Sequence, residues 1–182
     1  MTWWWVGAAV VLAVLFGLYL SQIAGRLDRL HLRIEGARAG LELQLAQRIS
    51  VVQEVAGSGV LDPATSLVLA DAAAVARAAD VDDPESMPLA ESDLTRALGA
   101  AFADRDDVAA LREAPAGQPA ADALEASCRR VQLARRFHND AVRACVALRR
   151  RRLARWFRLA GHTPWPETVE LDDRMPEGFA TR

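Results

Sequence analysis

The chain has 182 residues, a formal charge of −2 and 52% hydrophobic residues; the length fits one domain with an appendage, and the composition excludes a largely disordered chain. Two cysteines exclude a disulfide framework and a four-thiolate zinc site. All of the basic charge is arginine and it is unevenly spread: residues 126–160 hold eleven arginines against one acid, Asp140, whereas residues 54–125 hold fifteen acids against four arginines.

From Thr2 to Gly25 the phenol of Tyr19 is the only ionisable side chain, and residues 3–20 are almost wholly apolar. At about 1.5 Å per residue, roughly 20 helical residues span the ~30 Å hydrocarbon layer, so this stretch is long enough to cross. A cleaved signal peptide requires a basic leader, a shorter apolar run and small residues before the cut. Here the leader is Met-Thr, and Ser21-Gln22-Ile23-Ala24 carries bulky residues at alternate positions. A buried core helix requires more surrounding protein than the remaining chain supplies. The expectation is an uncleaved anchor over residues 1–25.

Arg26, Arg29, Arg33 and Arg38 follow this run. Arginines near a membrane end stay on the cytoplasmic side, which predicts a single-pass protein of the cell membrane with its N-terminus outside and its domain inside. Trp3, Trp4 and Trp5 then fall in the outer interfacial belt and Tyr19 in the inner one. Free Cys128 and Cys145 agree with a reducing compartment.

Leu27, Leu30, Ile34, Ala37, Leu41, Leu45, Ile49 and Val52 recur every three or four residues, so the anchor continues into an amphipathic helix that stops at Gly57-Ser58-Gly59. Asp62-Pro63 reads as an N-cap with proline at the first helical position, opening an alanine-rich helix to about Asp80. After an acidic loop with Pro84 and Pro88, a third helix begins at Glu91 or Ser92 and continues loosely through Val108 and Leu111. Pro115-Ala116-Gly117-Gln118-Pro119 closes it, and the last helix runs from about Ala120 to Ala160. The fold class expected is all-α: one N-terminal transmembrane helix continuous with an antiparallel up-down bundle of about four helices. The anchor occupies 1–25, the bundle 26–161 and an irregular C-terminal tail 162–182.

In the last helix Leu124, Val131, His138 and Cys145 are spaced by sevens on an apolar stripe, and Arg129, Arg136, Arg143 and Arg150 form a second row, read as a solvated face partly matched to the acidic helices. Residues 149–158 differ, because arginines there fall on every side of the helix. Arg149, Arg150, Arg151, Arg152, Arg155 and Arg158, with Trp156 and Phe157 among them, suit the anionic inner leaflet, at about 1 kcal/mol per arginine.

Little of the sequence suggests catalysis. His138, Asn139 and Asp140 are consecutive and point about 100° apart on a helix, so they do not converge on one ion, and His138 reads as a core histidine. His31 and His162 are isolated, and there is no phosphate loop, dinucleotide fingerprint, HExxH or CxxC. The expectation is a chain without enzymatic activity, metal or cofactor.

Leu133-Ala134-Arg135-Arg136-Phe137-His138-Asn139-Asp140-Ala141-Val142-Arg143 resembles the signature of the LemA family, approximately ARRFYNDAV. The motif residues are Arg135, Arg136, Phe137, His138, Asn139, Asp140 and Val142. The anchor running into a long first helix, the stretch from Glu91 to Leu98, and Val169-Glu170 after Gly161 are similar to that family's layout. The chain departs from it at His138, in place of a tyrosine, at Cys145-Val146, in place of a tyrosine-asparagine pair, and at the arginine run, in place of a proline-containing turn. The resemblance implies a membrane-anchored cytoplasmic helical bundle of a divergent branch, with no established enzymatic activity.

The function expected is a non-catalytic scaffold or interaction module at the inner leaflet. Its partners are anionic lipid and a membrane or cytoplasmic protein, with a homo-oligomer left open. Regulation of a neighbouring membrane protease or transporter is the alternative, and nucleic-acid binding through the last helix is the weakest reading.

Overall fold

The structure, a computed structural model, describes residues 3–79, 83, 85–151, 156 and 164–180. Among the described residues it is all-helical, with five α-helices and no strand: α1 (Trp3–Gly57), α2 (Pro63–Ala78), α3 (Ser86–Ala101), α4 (Arg105–Glu113) and α5 (Gly117–Arg149), followed by a 3-10 turn at Glu177–Phe179. The chain divides into two compact units, Met1–Ala37 with His138–Thr168, and Arg38–Phe137 with Val169–Arg182. Both α1 and α5 contribute residues to each.

In the first unit, residues 3–19 of α1 are exposed along their whole length, and the helix is long and apolar enough to cross a membrane. Burial begins at Ile23 and Leu27, which pack with Cys145 and Leu148 of α5. Arg26, Arg29 and Arg33 lie on the exposed side of the same turns.

The second unit holds the larger core. Ile49, Val52 and Val55 of α1 cluster with Leu69 and Ala73 of α2, Leu94 and Leu98 of α3, Val108 and Leu111 of α4, and Leu124 and Cys128 of α5. Helix α1 ends as the glycines require, with Gly59 at φ 76° in the left-handed region. Helix α2 starts where the Asp62 carboxylate accepts from the Ala64 and Thr65 N–H groups at 3.0 and 3.1 Å, with Pro63 following.

Several boundaries differ from the sequence expectation: helix α3 begins at Ser86, ahead of Glu91 and Ser92, and helix α5 ends at Arg149. The single third helix is two, because Phe102 turns into the core at 1% exposure and the chain restarts at Asp104, whose N–H donates to the Asp107 carboxylate at 2.9 Å. Helix α5 begins at Gly117, where a Cβ would stand 1.7 Å from the Leu111 carbonyl oxygen, so only glycine permits this turn. Pro119 then falls in the first helical turn, where no N–H is needed. Of the expected continuation to Ala160, residues 152–155 and 157–160 lie outside the described residues.

The core of the second unit contains an ion pair. Arg48 and Glu91 are each 1% exposed and bonded through Nη2 and Oε2. The guanidinium also donates from Nη1 to Thr95 Oγ1 at 3.0 Å and from Nη2 to the Glu91 carbonyl at 3.2 Å, and Thr95 Oγ1 donates to that carbonyl at 3.0 Å. Burial pushes the Glu91 carboxyl above its ordinary range, against the pull of the Arg48 charge. Arg48→Met should therefore cost about 3–5 kcal/mol, by leaving Glu91 buried without its counter-charge, and Arg48→Met with Glu91→Leu should recover most of the loss. Denaturant unfolding of the two variants checks this, and equal destabilisation by both contradicts it.

Candidate functional site

The exposed apolar helix and the end of α5 belong to one compact unit. Trp3, Trp4, Trp5 and Tyr19 are all exposed, and the 14 residue steps from Trp5 to Tyr19 correspond to about 21 Å of helix axis. Leu148 packs within three residues of Arg150 and Arg151, both exposed, and Trp156 is 84% exposed.

Arg149 departs from its expected place among the lipid-facing arginines. It is buried, donating from Nη1 to the Pro164 carbonyl at 2.7 Å and lying 4.5 Å over the Trp165 ring. The reason is helical phase: Arg149 follows Cys145 by four residues and so lies on the inward stripe. Arg152, Arg155 and Arg158 lie outside the described residues. An open groove of about 640 Å³ is floored by Val142, Val146, Ala147 and Pro166, and Arg143 and Arg150 also line it.

The unit brings together one pair that the sequence leaves apart, His31 Nε2 and Cys145 Sγ, 3.8 Å from each other. Cys145 is fully buried, and burial raises its thiol pKa. A neutral thiol at that distance from an imidazole, without access to solvent, packs rather than attacks. Among the described residues no group of three or more His, Cys, Asp or Glu side chains could hold a metal ion.

The residues of the 133–143 motif separate by face. Arg136, Phe137 and Asp140 point outward, with Phe137 at 55% exposure, and Asp140 pairs with Arg143 at 2.5 Å. His138, Asn139 and Val142 are buried. Arg135 is half-buried and gripped by one carboxylate: Nε donates to Asp173 Oδ2 at 2.7 Å and Nη2 to Oδ1 at 2.9 Å, which raises the Arg135 pKa further. The row Arg129, Arg136, Arg143 and Arg150 is exposed throughout.

Asp173 belongs to a segment that sequence reasoning treats only as an irregular tail. Residues 169–180 have no regular secondary structure apart from the turn Glu177–Phe179, and they dock within the second unit. Leu171 packs with Leu41, Leu45 and Val131. The Asp172 N–H donates to Ser92 Oγ at 3.0 Å, and Gln132 Nε2 donates to the Asp173 carbonyl at 2.7 Å. Phe179 meets Phe102 edge to face at 5.4 Å, and the Gly178 N–H donates to the Phe102 carbonyl at 3.0 Å. Gly178 has no room for a side chain, since a Cβ would stand 2.4 Å from the Asp104 carbonyl oxygen. The available signal was the spacing of Leu171, Met175 and Phe179 by four residues among charged neighbours. Arg48 was missed in a similar way, standing between Leu45 and Val52 at the three-four spacing of the apolar stripe.

Comparison of the chain with protein-family models, with curated proteins and with solved structures returns no match.

Because the Arg135–Asp173 pair is bidentate and mostly buried, Arg135→Ala should lower stability by about 1.5–3 kcal/mol, the range for hydrogen bonds to charged groups. Limited proteolysis should then cut the tail of the variant earlier than that of the wild type. Unchanged stability together with unchanged cleavage contradicts the docking role. The bonds from Arg174 hold the Asp172 carboxyl below its ordinary value. Its folded pKa is depressed, so its contribution is present above the unfolded value of about 3.9 and is lost as pH falls through the folded value. Asp172→Asn should therefore be less stable than wild type near neutrality, with the difference closing on the acid side in a pH series of thermal melts.

Proposed function

We propose that this chain is a divergent LemA-type membrane protein. In this reading α1 crosses the bilayer once with its N-terminus outside, and the remaining helices form an antiparallel up-down bundle on the cytoplasmic side. The bundle works without catalysis, as an interaction module or scaffold at the inner leaflet of the cell membrane. One observation carries the proposal: residues 3–19 are exposed and almost wholly apolar, on a helix that runs unbroken into the buried stripe beginning at Ile23. Water makes such a surface unfavourable by ~1.5–3 kcal/mol for each large side chain, and a bilayer removes that cost.

The end of α5 supports the same arrangement. Cys145 and Leu148 pack on Ile23 and Leu27, within two turns of the last residue of the apolar run, Leu20. Arg150 and Arg151, two and three residues beyond Leu148, therefore belong to the end of the unit nearest that run, and Trp156 is exposed. Exposed arginine with an exposed tryptophan suits an anionic headgroup layer, the charge attracted to phosphate and the ring inserted at the interface. The motif at residues 133–143 and the departures already noted make this a divergent form of the family pattern.

Vesicle flotation of residues 26–182 tests the orientation role. The fragment should float with vesicles containing anionic phospholipid far more than with neutral ones, and added salt should weaken the association. Arg150→Ala with Arg151→Ala should cut binding by roughly 30-fold, from about 1 kcal/mol per arginine. Equal flotation on neutral and anionic vesicles, or no effect of the substitutions, contradicts the role.

A further inference from the structure

Helix α5 carries a second apolar face besides the stripe that enters the core. Leu133 and Phe137 are four residues apart, so their side chains stand one above the other on the same side of the helix. Both belong to the second unit and are 51 and 55% exposed, whereas Val131, on the other side of the helix, is fully buried. A single exposed apolar side chain is ordinary on a protein surface. A pair in helical register is a different surface, because it offers two adjacent knobs to a second helix.

The charge around this pair is uneven in a useful way. At about 100° per residue, Arg130 lies about 60° to one side of Leu133 and Arg136 about 60° to the other. Both are exposed. Other arginines of α5 are committed within the chain: Arg129 to Glu125, Arg135 to Asp173 and Arg143 to Asp140. No ion pair among the described residues includes Arg130 or Arg136. The apolar strip is therefore bordered on both sides by uncommitted positive charge. Arg130 also lines an open groove of about 500 Å³ with Ala46, Gln47, Ser50 and Val51 of α1, so on that side the surface continues as a depression between the two helices.

We infer that the face of α5 bearing Leu133 and Phe137, with Arg130 and Arg136 along its edges, docks an acidic amphipathic helix of a partner protein. The apolar side chains of that helix cover Leu133 and Phe137, and carboxylates beside them meet the two arginines. A basic partner is disfavoured, because like charges facing each other across an interface cost affinity. A helix fits better than a polyanion, since a phosphate backbone engages the arginines and leaves the leucine and the ring uncovered. This names the surface and the partner's chemistry for the interaction-module reading, on which it rests. The flotation experiment turns on Arg150 and Arg151 in the other unit, so either result can fail without the other.

A charge reversal tests the inference. The full chain, solubilised in detergent, is titrated with two fluorescent synthetic helices. One presents leucines on one face with glutamates beside them, and in the other every glutamate is replaced by lysine. Fluorescence anisotropy should show saturable binding of the acidic helix, with the lysine helix weaker by about tenfold or more. Phe137→Ala should weaken the acidic helix by a similar factor, as truncation of a buried aromatic anchor does. Its denaturant midpoint should match that of the wild type, since the ring is an exposed one in the free chain. Arg130→Glu with Arg136→Glu should reverse the preference, so that the lysine helix binds the more tightly, which loss of structure would not produce. Equal binding of the two helices by the wild type, unaltered affinity in Phe137→Ala, or no reversal overturns the inference. It is equally overturned if a single-stranded oligonucleotide displaces the acidic helix and its own binding depends on the two arginines but not on Phe137, because the face then reads phosphate.

Discussion

One constraint orders the first unit: a run of exposed apolar side chains continues, without a break in the helix, into the buried stripe that begins at Ile23. Helix α1 is 55 residues long, and along that length its environment changes from exposed apolar to amphipathic without a break. A free-standing apolar helix is unfavourable in water, whereas the same helix in hydrocarbon satisfies its backbone internally and its side chains through the solvent. On the proposed reading, the bilayer supplies the burial that so short a chain cannot provide, and the cytoplasmic helices need to cover only the stripe that begins at Ile23. The same continuity ties the position of the first unit's α5 residues to the end of the apolar run, through Ile23, Leu27, Cys145 and Leu148.

The core of the second unit follows a different logic. Helix α2 is rich in alanine, which favours a helix but buries little area. Larger residues come from α1, α3 and α5, and among them Arg48 and Glu91 occupy volume that leucine could fill. Such a pair adds little net stability over an apolar replacement, but it penalises any packing that separates its members. It therefore specifies which turn of α1 meets which turn of α3. The irregular segment 169–180 makes an equivalent demand on α3 and α5, since Ser92, Arg135 and Phe102 each hold one feature of it. Polar specificity at these two places compensates for a core that is otherwise small and uniform.

Much of the helical plan was legible because it depends on local chemistry. The glycines at 57 and 59 stop α1, Asp62-Pro63 starts α2, and the α5 stripe from Leu124 to Cys145 is buried as its seven-residue spacing requires. What escaped is decided by tertiary context. The break between α3 and α4 depends on Phe102 finding a site in the core, and nothing in its immediate neighbours announces that. Arg48 looks like any surface arginine until Glu91 and Thr95 arrive from 43 and 47 residues away. Arg149 was grouped with its charged neighbours by composition, although its helical phase assigns it to the inner face, where Pro164 and Trp165 hold it. The tail is irregular, as expected, but its docking escaped notice, because a segment without regular structure shows its pattern only against the residues that hold it.

Sidedness in living cells tests the central claim most directly. Single reporter cysteines at Thr2→Cys and Arg182→Cys, in the full chain and with the buried Cys128 and Cys145 left in place, are exposed to a membrane-impermeant maleimide on intact cells. The account predicts labelling at position 2 and none at position 182 until the membrane is permeabilised. Labelling at 182 from outside, or a mature chain that has lost residue 2 together with the apolar run, contradicts it.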